Sequence, residues 1–363
     1  MTKKVMSKLL ISCATLSSGG AERVISVLSK PFADNYNEVV IVMWLKKPVF
    51  YKIDERVKLV YLPDISGTSN RYAEIFSFRK VVNSEKPDII LSFLTPFNVL
   101  VEIATIGMSV PVVVCERTDP DRSKGLAKIL RNLAYLKADG ILTQTFISKH
   151  SFRGDLNKKT DVIYNPITMS DEEVGSALHT EKEKLMVSAG RLISIKNQKM
   201  MIDACKVVST RHPEYKLVIY GEGPYKDTLQ EYIKAEGMVD CVLLPGNKKN
   251  IWDCIKPAQV FLLTSNFEGM PNAMLEAMCL GLPCVSTKLK AAEELISDGI
   301  NGYIVDFNDS IALADRICFL IENPDKALSM GERATEIYKQ VKEDRVSAQW
   351  IEYINNKINR QLQ

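Results

Sequence analysis

The chain is poor in the features that mark metal-rich, disulfide-bonded and membrane-spanning proteins. Among its 363 residues it has three histidines, too few for a His-rich metal centre. Its eight cysteines form no C-x2-C pair and mostly lie in apolar runs, so we expect buried thiols in a reducing compartment and neither disulfides nor a zinc site. No apolar run approaches the roughly 18 residues that a membrane helix needs. The amino-terminal lysines precede only a very short apolar run, so we expect no signal peptide.

The overall charge and hydropathy are those of an ordinary globular protein with two domains. Hydrophobic residues make up 46% of the chain and charged residues 25%, which is enough apolar material for a core in each half. The formal net charge of +3 is too small to indicate nucleic-acid binding. Short apolar runs alternate with helical patterns along the chain. This alternation predicts an α/β protein with doubly wound parallel sheets, whose ligands bind at the carboxyl ends of the strands.

The residues from Phe261 to Val285, FLLTSNFEGMPNAMLEAMCLGLPCV, predict the main binding site. The pattern is that of a buried strand, a loop containing Glu268, a helix with Pro271 at its first position and a second strand. The first backbone amides of a helix have no partner within the helix, so we expect a phosphate site at this helix start. The amides concerned are those of Asn272, Ala273 and Met274.

Two carboxylates flank this predicted anion site, Glu268 in the loop and Glu276 in the second turn of the helix. A carboxylate accepts hydrogen bonds from sugar hydroxyls and repels phosphate, so the pair suits a phosphorylated sugar. Two glutamates at this spacing also occur by chance on the solvent face of a helix. Together with the preceding strand and the following Gly281, Leu282 and Pro283, the segment resembles the E-x7-E motif of the retaining glycosyltransferases of the GT-B fold.

The resemblance implies two Rossmann-like domains facing a cleft and a retaining sugar transfer that uses no metal cofactor. In that family the glutamate matching Glu276 holds the ribose hydroxyls, and the one matching Glu268 holds the donor sugar. The donor would be a nucleotide-sugar, with UDP expected rather than GDP. The loop and helix start would contribute further donor contacts from Gly269, Met270, Pro271, Asn272 and Ala273.

A second segment that matches the family, GRLISIKN, follows a predicted strand at Lys184–Ala189. The planar guanidinium of Arg191 and the point charge of Lys196 both suit phosphate oxygens. Alone, such an arginine and lysine would be interpreted as surface residues. In the family both bind the donor diphosphate and neutralise the charge that grows as the nucleotide leaves. We therefore expect Arg191, Lys196 and Glu268 to be the catalytic residues.

Three glycine-containing turns also match the family and would face the donor. The first, LSSGGAER, resembles the loop with which many members open, although it does not fit G-x-G-x-x-G and alone predicts only a tight turn. The second, GEGP, follows a predicted strand at Lys216–Tyr220, and the third, LLPGN, follows the next strand. The glycines that these turns contribute to the expected donor site are Gly19, Gly20, Gly221 and Gly246.

The sequence CERTDP, at the end of a predicted strand at Val110–Cys115, is expected on the acceptor side. It resembles a loop in a subset of these transferases that build bacterial surface glycans, and its candidate residues are Glu116, Arg117 and Asp119. Other members carry a histidine near this position, which this chain lacks, so we expect no catalytic histidine. Asp119, Pro120 and Asp121 also spell D-x-D, the metal motif of a different glycosyltransferase fold, but the doubly wound pattern argues against that fold.

The segment Ser123–Lys137, SKGLAKILRNLAYLK, predicts an amphipathic helix that is basic and contains no acidic residue. Its apolar residues could cover the sheet or lie against an anionic membrane surface, and the sequence favours neither. The apolar set is Leu126, Ile129, Leu130, Leu133 and Leu136, and the basic set is Lys124, Lys128, Arg131 and Lys137. In the membrane interpretation the protein is cytoplasmic and peripheral on the inner face of the cell membrane.

Four segments are expected along the chain. Residues 1–167 would form the acceptor-side domain, and the polar residues 168–183 a linker. Residues 184–340 would form the domain that binds the nucleotide-sugar. Residues 341–363 predict a helix, which in GT-B proteins crosses back to the first domain.

The sequence therefore predicts a retaining hexosyltransferase that moves a hexose or N-acetylhexosamine to a growing, lipid-linked surface polysaccharide such as capsule or lipopolysaccharide. Two alternatives stay open, a GT-B sugar-nucleotide epimerase and a non-catalytic nucleotide-binding protein. The presence of all four residues Arg191, Lys196, Glu268 and Glu276 argues against the non-catalytic alternative, because loss of activity would remove the pressure to keep them.

Overall fold

The computed structural model describes residues 7–67 and 70–361 and divides the chain into two compact units. Unit 1 comprises Met1–Thr168 and Val341–Gln363, and unit 2 comprises Met169–Gln340. The chain therefore leaves unit 1 and returns to it at its end. The amino-terminal Lys3 and Lys4, on which the expected absence of a signal peptide depends, lie outside the described residues. So do the last two residues of the expected final helix.

The described part of unit 1 is built on a parallel sheet. Its strands are β1 (Lys8–Cys13), β2 (Glu38–Met43), β3 (Lys58–Tyr61), β4 (Ile89–Phe93), β5 (Val112–Cys115), β6 (Gly140–Thr143) and β7 (Thr160–Val162). In space they follow the order β3-β2-β1-β4-β5-β6-β7. The order reverses between β1 and β4, which creates the switch point at which α/β sheets bind ligands.

Helices cover both faces of this sheet. They are α1 (Gly20–Asn35), α2 (Leu62–Ser66), α3 (Arg71–Glu85), α4 (Thr95–Ala104), α5 (Gly125–Lys137), α6 (Phe146–His150) and α7 (Asp155–Lys158). One core forms between the sheet and α1, and the other forms between the sheet and α3 and α4. Strands enclosed in this way are apolar on both faces, which explains runs such as VVVC in β5.

Unit 2 is a second doubly wound unit. Its strands are β8 (Leu185–Ala189), β9 (Lys216–Tyr220), β10 (Val242–Gly246), β11 (Val260–Leu263), β12 (Cys284–Thr287) and β13 (Tyr303–Val305). Their order is β10-β9-β8-β11-β12-β13, and all described pairings are parallel. The switch point of this sheet lies between β8 and β11.

The helices of unit 2 are α8 (Gln198–Arg211), α9 (Lys226–Ala235), α10 (Ile251–Ile255), α11 (Asn272–Leu280), α12 (Lys290–Leu295), α13 (Ser310–Glu322) and α14 (Pro324–Ala334). Helix α11 is buried from Met274 to Leu280, because neighbouring segments enclose it on all sides. One of these segments is part of residues 168–183, which belong to unit 2 from Met169 onward. There the amide of Gly175 donates to the carbonyl of Cys279 at 2.9 Å.

The chain returns to unit 1 through α15 (Tyr338–Val341) and ends in α16 (Glu343–Gln361). The indole of Trp350 in α16 is fully buried against unit 1. It stacks on Phe93 with ring centroids 6.0 Å apart and meets Phe32 edge-on at 6.3 Å. Helix α16 thus completes the core of the first unit, with its apolar residues at helical spacing facing inward.

The predicted elements differ from the observed ones mainly at their ends. The expected strand at Val110–Cys115 begins at Val112, because Pro111 has no amide to donate to the sheet. Helix α4 begins at Thr95, with Pro96 in its first turn, where a proline is tolerated. The turn expected at Gly246 is the end of β10 itself.

Candidate functional site

The donor residues expected in unit 2 come from loops at the switch point between β8 and β11. The loop after β8 ends in a short 3-10 helix, and the loop after β11 crosses it. The amide of Asn266 donates to the carbonyl of Ile195 at 2.8 Å. The hydroxyl of Thr264 donates to the carbonyls of Lys196 and Asn197 at 3.1 and 2.9 Å. These bonds hold the two loops together as one surface.

Lys196 and Glu268, which are 72 residues apart in sequence, form an ion pair on this surface. The ammonium of Lys196 donates to Oε1 of Glu268, and the hydroxyl of Ser265 donates to the same oxygen at 2.8 Å. The two side chains are 24% and 14% exposed, so the pair is accessible but mostly shielded from water. The sequence predicted both residues for the site but not their contact, and it missed Ser265.

Arg191 lies on the exposed part of the loop after β8. Its neighbour Leu192 is fully buried, and its amide bonds to the carbonyl of Glu222 at 3.0 Å. The side-chain amide of the buried Gln198 donates to the carbonyl of Arg191 at 3.1 Å. The backbone of this loop is therefore fixed from both sides while the residue at its tip, Arg191, is exposed.

Helix α11 begins one residue later than the sequence predicted. Pro271 is the N-cap and not the first helical residue, and its carbonyl accepts hydrogen bonds from the amides of Met274 and Leu275, both at 3.1 Å. The prediction that the Met274 amide has no partner is wrong for this reason. Asn272 and Ala273 are the first helical residues and are half-buried.

Glu276 lies in the second turn of α11 and is 3% exposed, and Met270 before the helix is also buried. A carboxylate on the solvent face of a helix would be largely exposed. Glu276 is therefore not a solvent-face glutamate that has this spacing by chance. Its partner in the motif, Glu268, is partly exposed in the loop. The two glutamates therefore lie in different environments.

Two of the glycines expected in the donor site, Gly221 and Gly246, have a positive φ that favours glycine. Gly221 adopts φ of 143°, and a Cβ there would lie 1.9 Å from the carbonyl oxygen of Gly190. Its amide donates to the carbonyl of Gly246 at 3.0 Å. Gly19 and Gly20 lie in unit 1, where Gly19 precedes α1 and Gly20 begins it. The conformations of Gly221 and Gly246 therefore shape the ends of β9 and β10.

Glu116, expected on the acceptor side, points into unit 1 and is 1% exposed. Hydroxyls surround its carboxylate. Thr95 and Thr118 donate to Oε1, and Tyr135 donates to Oε2 at 2.9 Å. Burial raises the pKa of Glu116, and these donors and the charge of Arg131 oppose the shift. This carboxylate thus fixes the shape of the loop after β5.

Arg117 is also buried, beside the ring of Phe93 at 5.7 Å. Asp119 caps the 3-10 helix Pro120–Arg122, since its carboxylate accepts from the amide of Asp121 at 2.9 Å. The carboxylate of Asp121 accepts from the hydroxyl of Ser151 at 3.1 Å and lies 3.5 Å from the ammonium of Lys128. The two aspartates of the D-x-D tripeptide are therefore engaged by their own loop and its neighbours.

Helix α5 turns its apolar face outward. Its five apolar candidates are between 50% and 69% exposed: Leu126, Ile129, Leu130, Leu133 and Leu136. The buried side chains are instead Arg131 and Tyr135, at 1% and 0% exposure. Arg131 donates to the carbonyl of Pro120, and its guanidinium lies over the ring of Phe152 at 5.0 Å. The leucines therefore do not cover the sheet, and the prediction that Arg131 is a basic surface residue is wrong.

One group of potential metal ligands occurs elsewhere among the described residues. His212, Cys318 and Glu322 bring one ligand atom each within 4.8 Å of one another, at the ends of α8 and α13. In the structure the imidazole Nε2 of His212 lies 3.1 Å from the carboxylate of Glu322. This group shares no residue with the candidate site. Six of the eight thiols are buried, and Cys241 and Cys254 are half-buried.

Comparison with known proteins agrees with this architecture. Residues 18–171 match the model of the Glycosyltransferase Family 4, and residues 169–337 match that of the Glycosyl transferases group 1. A relative from Campylobacter jejuni, an α-1,4-N-acetyl-D-galactosaminyltransferase named for a diphospho-undecaprenol-linked acceptor, is 27% identical over 96% of this chain and 98% of its own length. A second C. jejuni relative, an N-acetylgalactosamine-N,N'-diacetylbacillosaminyl-diphospho-undecaprenol 4-α-N-acetylgalactosaminyltransferase, is 28% identical over 88% of this chain and 91% of its own.

Solved structures give the fold. A mutant of Staphylococcus aureus TarM with bound UDP matches with a TM-score of 0.79 over 98% of this chain and 100% of its own, at 15% identity. Anabaena HepE with UDP matches with a TM-score of 0.78 over 97% of this chain and 100% of its own, at 19% identity. The fold is therefore GT-B, and with the two family models spanning residues 18 to 337, the chain belongs to the GT-B glycosyltransferases of the family 4 type.

Proposed function

We propose that the protein is a retaining glycosyltransferase whose donor is a UDP-sugar. It moves a hexose or N-acetylhexosamine from this donor to a lipid-linked acceptor during the assembly of a surface glycan. The observation that carries this proposal is the pairing of Lys196 with Glu268 at the switch point of unit 2, next to the half-buried start of α11. The names of the two C. jejuni relatives support an N-acetylhexosamine and a diphospho-undecaprenol acceptor. The UDP bound in TarM and HepE supports the nucleotide.

In the proposed donor complex, Lys196 exchanges its bond with Glu268 for oxygens of the donor diphosphate, which Arg191 also contacts. Glu268 is then free to accept hydrogen bonds from the sugar hydroxyls. The amides of Asn272 and Ala273 add positive potential at the start of α11. As the bond from the anomeric carbon to the diphosphate breaks, negative charge grows on the leaving group, and these groups stabilise it.

The acceptor hydroxyl attacks the anomeric carbon on the same face of the sugar from which the leaving group departs. The new carbon–oxygen bond forms as the bond to the diphosphate breaks, and the hydroxyl proton passes to a phosphate oxygen of the leaving group. Retention follows from this geometry and is supported by the resemblance to the E-x7-E family. A transfer that inverts the anomeric centre, detected by NMR of the product, would contradict this part of the proposal.

We expect Glu276→Ala to weaken UDP binding by about 10- to 100-fold while the chain stays folded. The proposed reason is that the ribose hydroxyls donate hydrogen bonds to this buried carboxylate. Hydrogen bonds to a charged group contribute roughly 1.5–3 kcal/mol to binding. Titration calorimetry with UDP and GDP measures the change, and circular dichroism checks folding. Glu231→Ala, on the exposed face of α9, is the matched control. Unchanged affinity for both nucleotides would remove the ribose assignment.

We also expect sugar transfer to proceed in EDTA at nearly the rate seen with added divalent metal. Arg191, Lys196 and the start of α11 supply the positive potential that a metal ion provides in other transferases. The test compares nucleotide release after chelation with release after adding Mg²⁺ or Mn²⁺. Strict loss of turnover in EDTA that Mn²⁺ restores would make Asp119 and Asp121 the first residues to mutate.

The experiment that tests the whole proposal is a donor screen. Release of UDP from a panel of UDP-sugars is measured with and without diphospho-polyprenol-linked saccharides, and the products are analysed. We expect release that depends on the acceptor and a glycan extended by one sugar. Interconversion of free UDP-sugars without an acceptor would instead indicate an epimerase. Tight nucleotide binding without any turnover would indicate a non-catalytic protein.

The outward apolar face of α5 supports docking on the cytoplasmic face of an anionic membrane, where a lipid-linked acceptor lies. No described helix is long and apolar enough to cross a membrane, so contact through an amphipathic helix is the mode that we propose. Lys124 is exposed and Lys128 half-exposed beside the leucines, in positions that suit anionic headgroups.

A further inference from the structure

The guanidinium of Arg117 is a buried cation whose described partners are all neutral. The residue is 7% exposed. Its Nη2 donates to the side-chain oxygen of Asn165, its guanidinium lies over the ring of Phe93, and the amide of Gln144 is adjacent. Among the described residues neither Nε nor Nη1 has a hydrogen-bond partner, and Nε is shielded from solvent. Burial lowers the pKa of Arg117 to about 10, so the group still carries its charge near neutral pH.

Such an arrangement is costly for a folded chain. An ionised group that is buried without an opposite charge destabilises the fold by several kcal/mol, and proteins normally pair it. Unit 1 does this for its other buried arginine, since the charge of Arg131 acts on the carboxylate of Glu116. The charge of Arg117 has no carboxylate of this kind among the described residues. An anion bound from outside the chain would supply the missing counter-charge.

The position of Arg117 indicates what that counter-charge is. The residue follows β5, and it meets Phe93 at the end of β4, Gln144 after β6 and Asn165 after β7. These are the carboxyl ends of neighbouring parallel strands, the edge at which sheets of this class bind ligands. The Nη1 group of Arg117, which has no hydrogen-bond partner among the described residues, is a charged donor suited to a phosphate oxygen.

We propose that Arg117 is the anion subsite of the acceptor, where its charge and its Nη1 group bind an oxygen of a phosphate or diphosphate group, with Gln144 and Asn165 holding the guanidinium in place. This inference rests on the proposed function, because it assumes that the acceptor is phosphorylated. The loop that carries Arg117 is tied to α5 through Glu116 with Tyr135 and through Pro120 with Arg131. The subsite is therefore anchored to the helix whose outer face is proposed to meet the lipid.

The test removes the two charged side chains of the donor's own phosphate site and then asks whether a second site, which depends on Arg117, exists. In the full chain carrying Arg191→Ala and Lys196→Ala, thermal unfolding is measured with inorganic pyrophosphate, with geranyl diphosphate and with geraniol. We expect both diphosphates to raise Tm by several degrees and geraniol to leave it unchanged. Adding Arg117→Met should abolish the shift, whereas Arg117→Lys should keep part of it, because it retains the charge but not the planar guanidinium that Gln144 and Asn165 hold. A shift that survives Arg117→Met, or no shift in the parent, overturns the subsite.

Two further arms keep the result decisive. If the double variant does not fold, wild-type protein saturated with UDP replaces it, since the nucleotide then occupies the donor site. If Arg117→Met does not fold, the reduced shift of Arg117→Lys decides. An equal shift with both diphosphates indicates a site for a free anion, and a larger shift with geranyl diphosphate indicates a lipid-linked one. Failure of the proposed function appears separately, as absence of UDP binding or sugar transfer in the wild-type protein.

Discussion

Replacing Lys196 by methionine will lower the rate of nucleotide release from the sugar donor by about 10²- to 10³-fold, the range seen when one preorganised charge-stabilising donor is removed. Methionine keeps the length of the side chain and removes its charge. The crossing of the loops after β8 and β11 holds the backbone of Lys196 at the switch point, so the ammonium needs only to exchange Glu268 for the leaving diphosphate. The loss should appear mainly in kcat, because the charge grows only as the nucleotide departs.

The measurement is the rate of UDP release with saturating donor and acceptor, with folding checked by circular dichroism. Lys206→Met is the matched control, because this lysine pairs with Glu236 on the surface of α8 and lies outside the candidate site. Glu268→Gln should also lower the rate, and the double variant should lose less than the sum of the two in free energy, since the partners contact each other. Full activity in both single variants would refute the assignment of the pair.

The doubly wound architecture could be predicted from the chain because its signals are local. Short apolar runs such as IILSF in β4 mark strands enclosed on both faces, and the helical patterns between them imply parallel connections. The contact between Lys196 and Glu268 could not be predicted in the same way. It depends on which strands flank the switch point and on the left-handed conformation of Asn197, at φ of 49°, and both are properties of the tertiary structure.

Helix α5 shows a different limit of sequence reasoning. Periodicity identifies an apolar face but does not state what covers it, and the usual assumption is that it faces the core. Here the core side holds Arg131 and Tyr135, whose polar groups meet the Pro120 carbonyl and the Glu116 carboxylate. Those partners come from the loop after β5, so the orientation of the helix depends on a contact between separate segments.

Replacing Leu126, Leu130 and Leu133 by serine will reduce binding to anionic vesicles by at least about 100-fold. Fully burying one leucine contributes about 1.5–3 kcal/mol, and three that reach only the headgroup boundary still exceed the roughly 3 kcal/mol that this factor requires. These side chains are more than half exposed, so the fold should not suffer. Co-sedimentation with phosphatidylglycerol vesicles measures the binding, and UDP affinity reports on the intact donor site.

The charged part of the same surface is tested by Lys124→Glu with Lys128→Glu. Each basic residue at an anionic surface contributes about 1 kcal/mol to binding, and salt screens this contribution. High salt should therefore reduce binding of the parent as the two glutamate substitutions do. It should not reproduce the loss caused by replacing the three leucines with serine. Arg131 is left unchanged because it is buried. Ile300, Ile311 and Leu328 replaced by serine form the matched control, since they are exposed apolar residues of unit 2. If the variant with three serines in α5 sediments like the parent, another surface meets the lipid. If the parent itself never binds these vesicles, the acceptor is not reached through an anionic membrane.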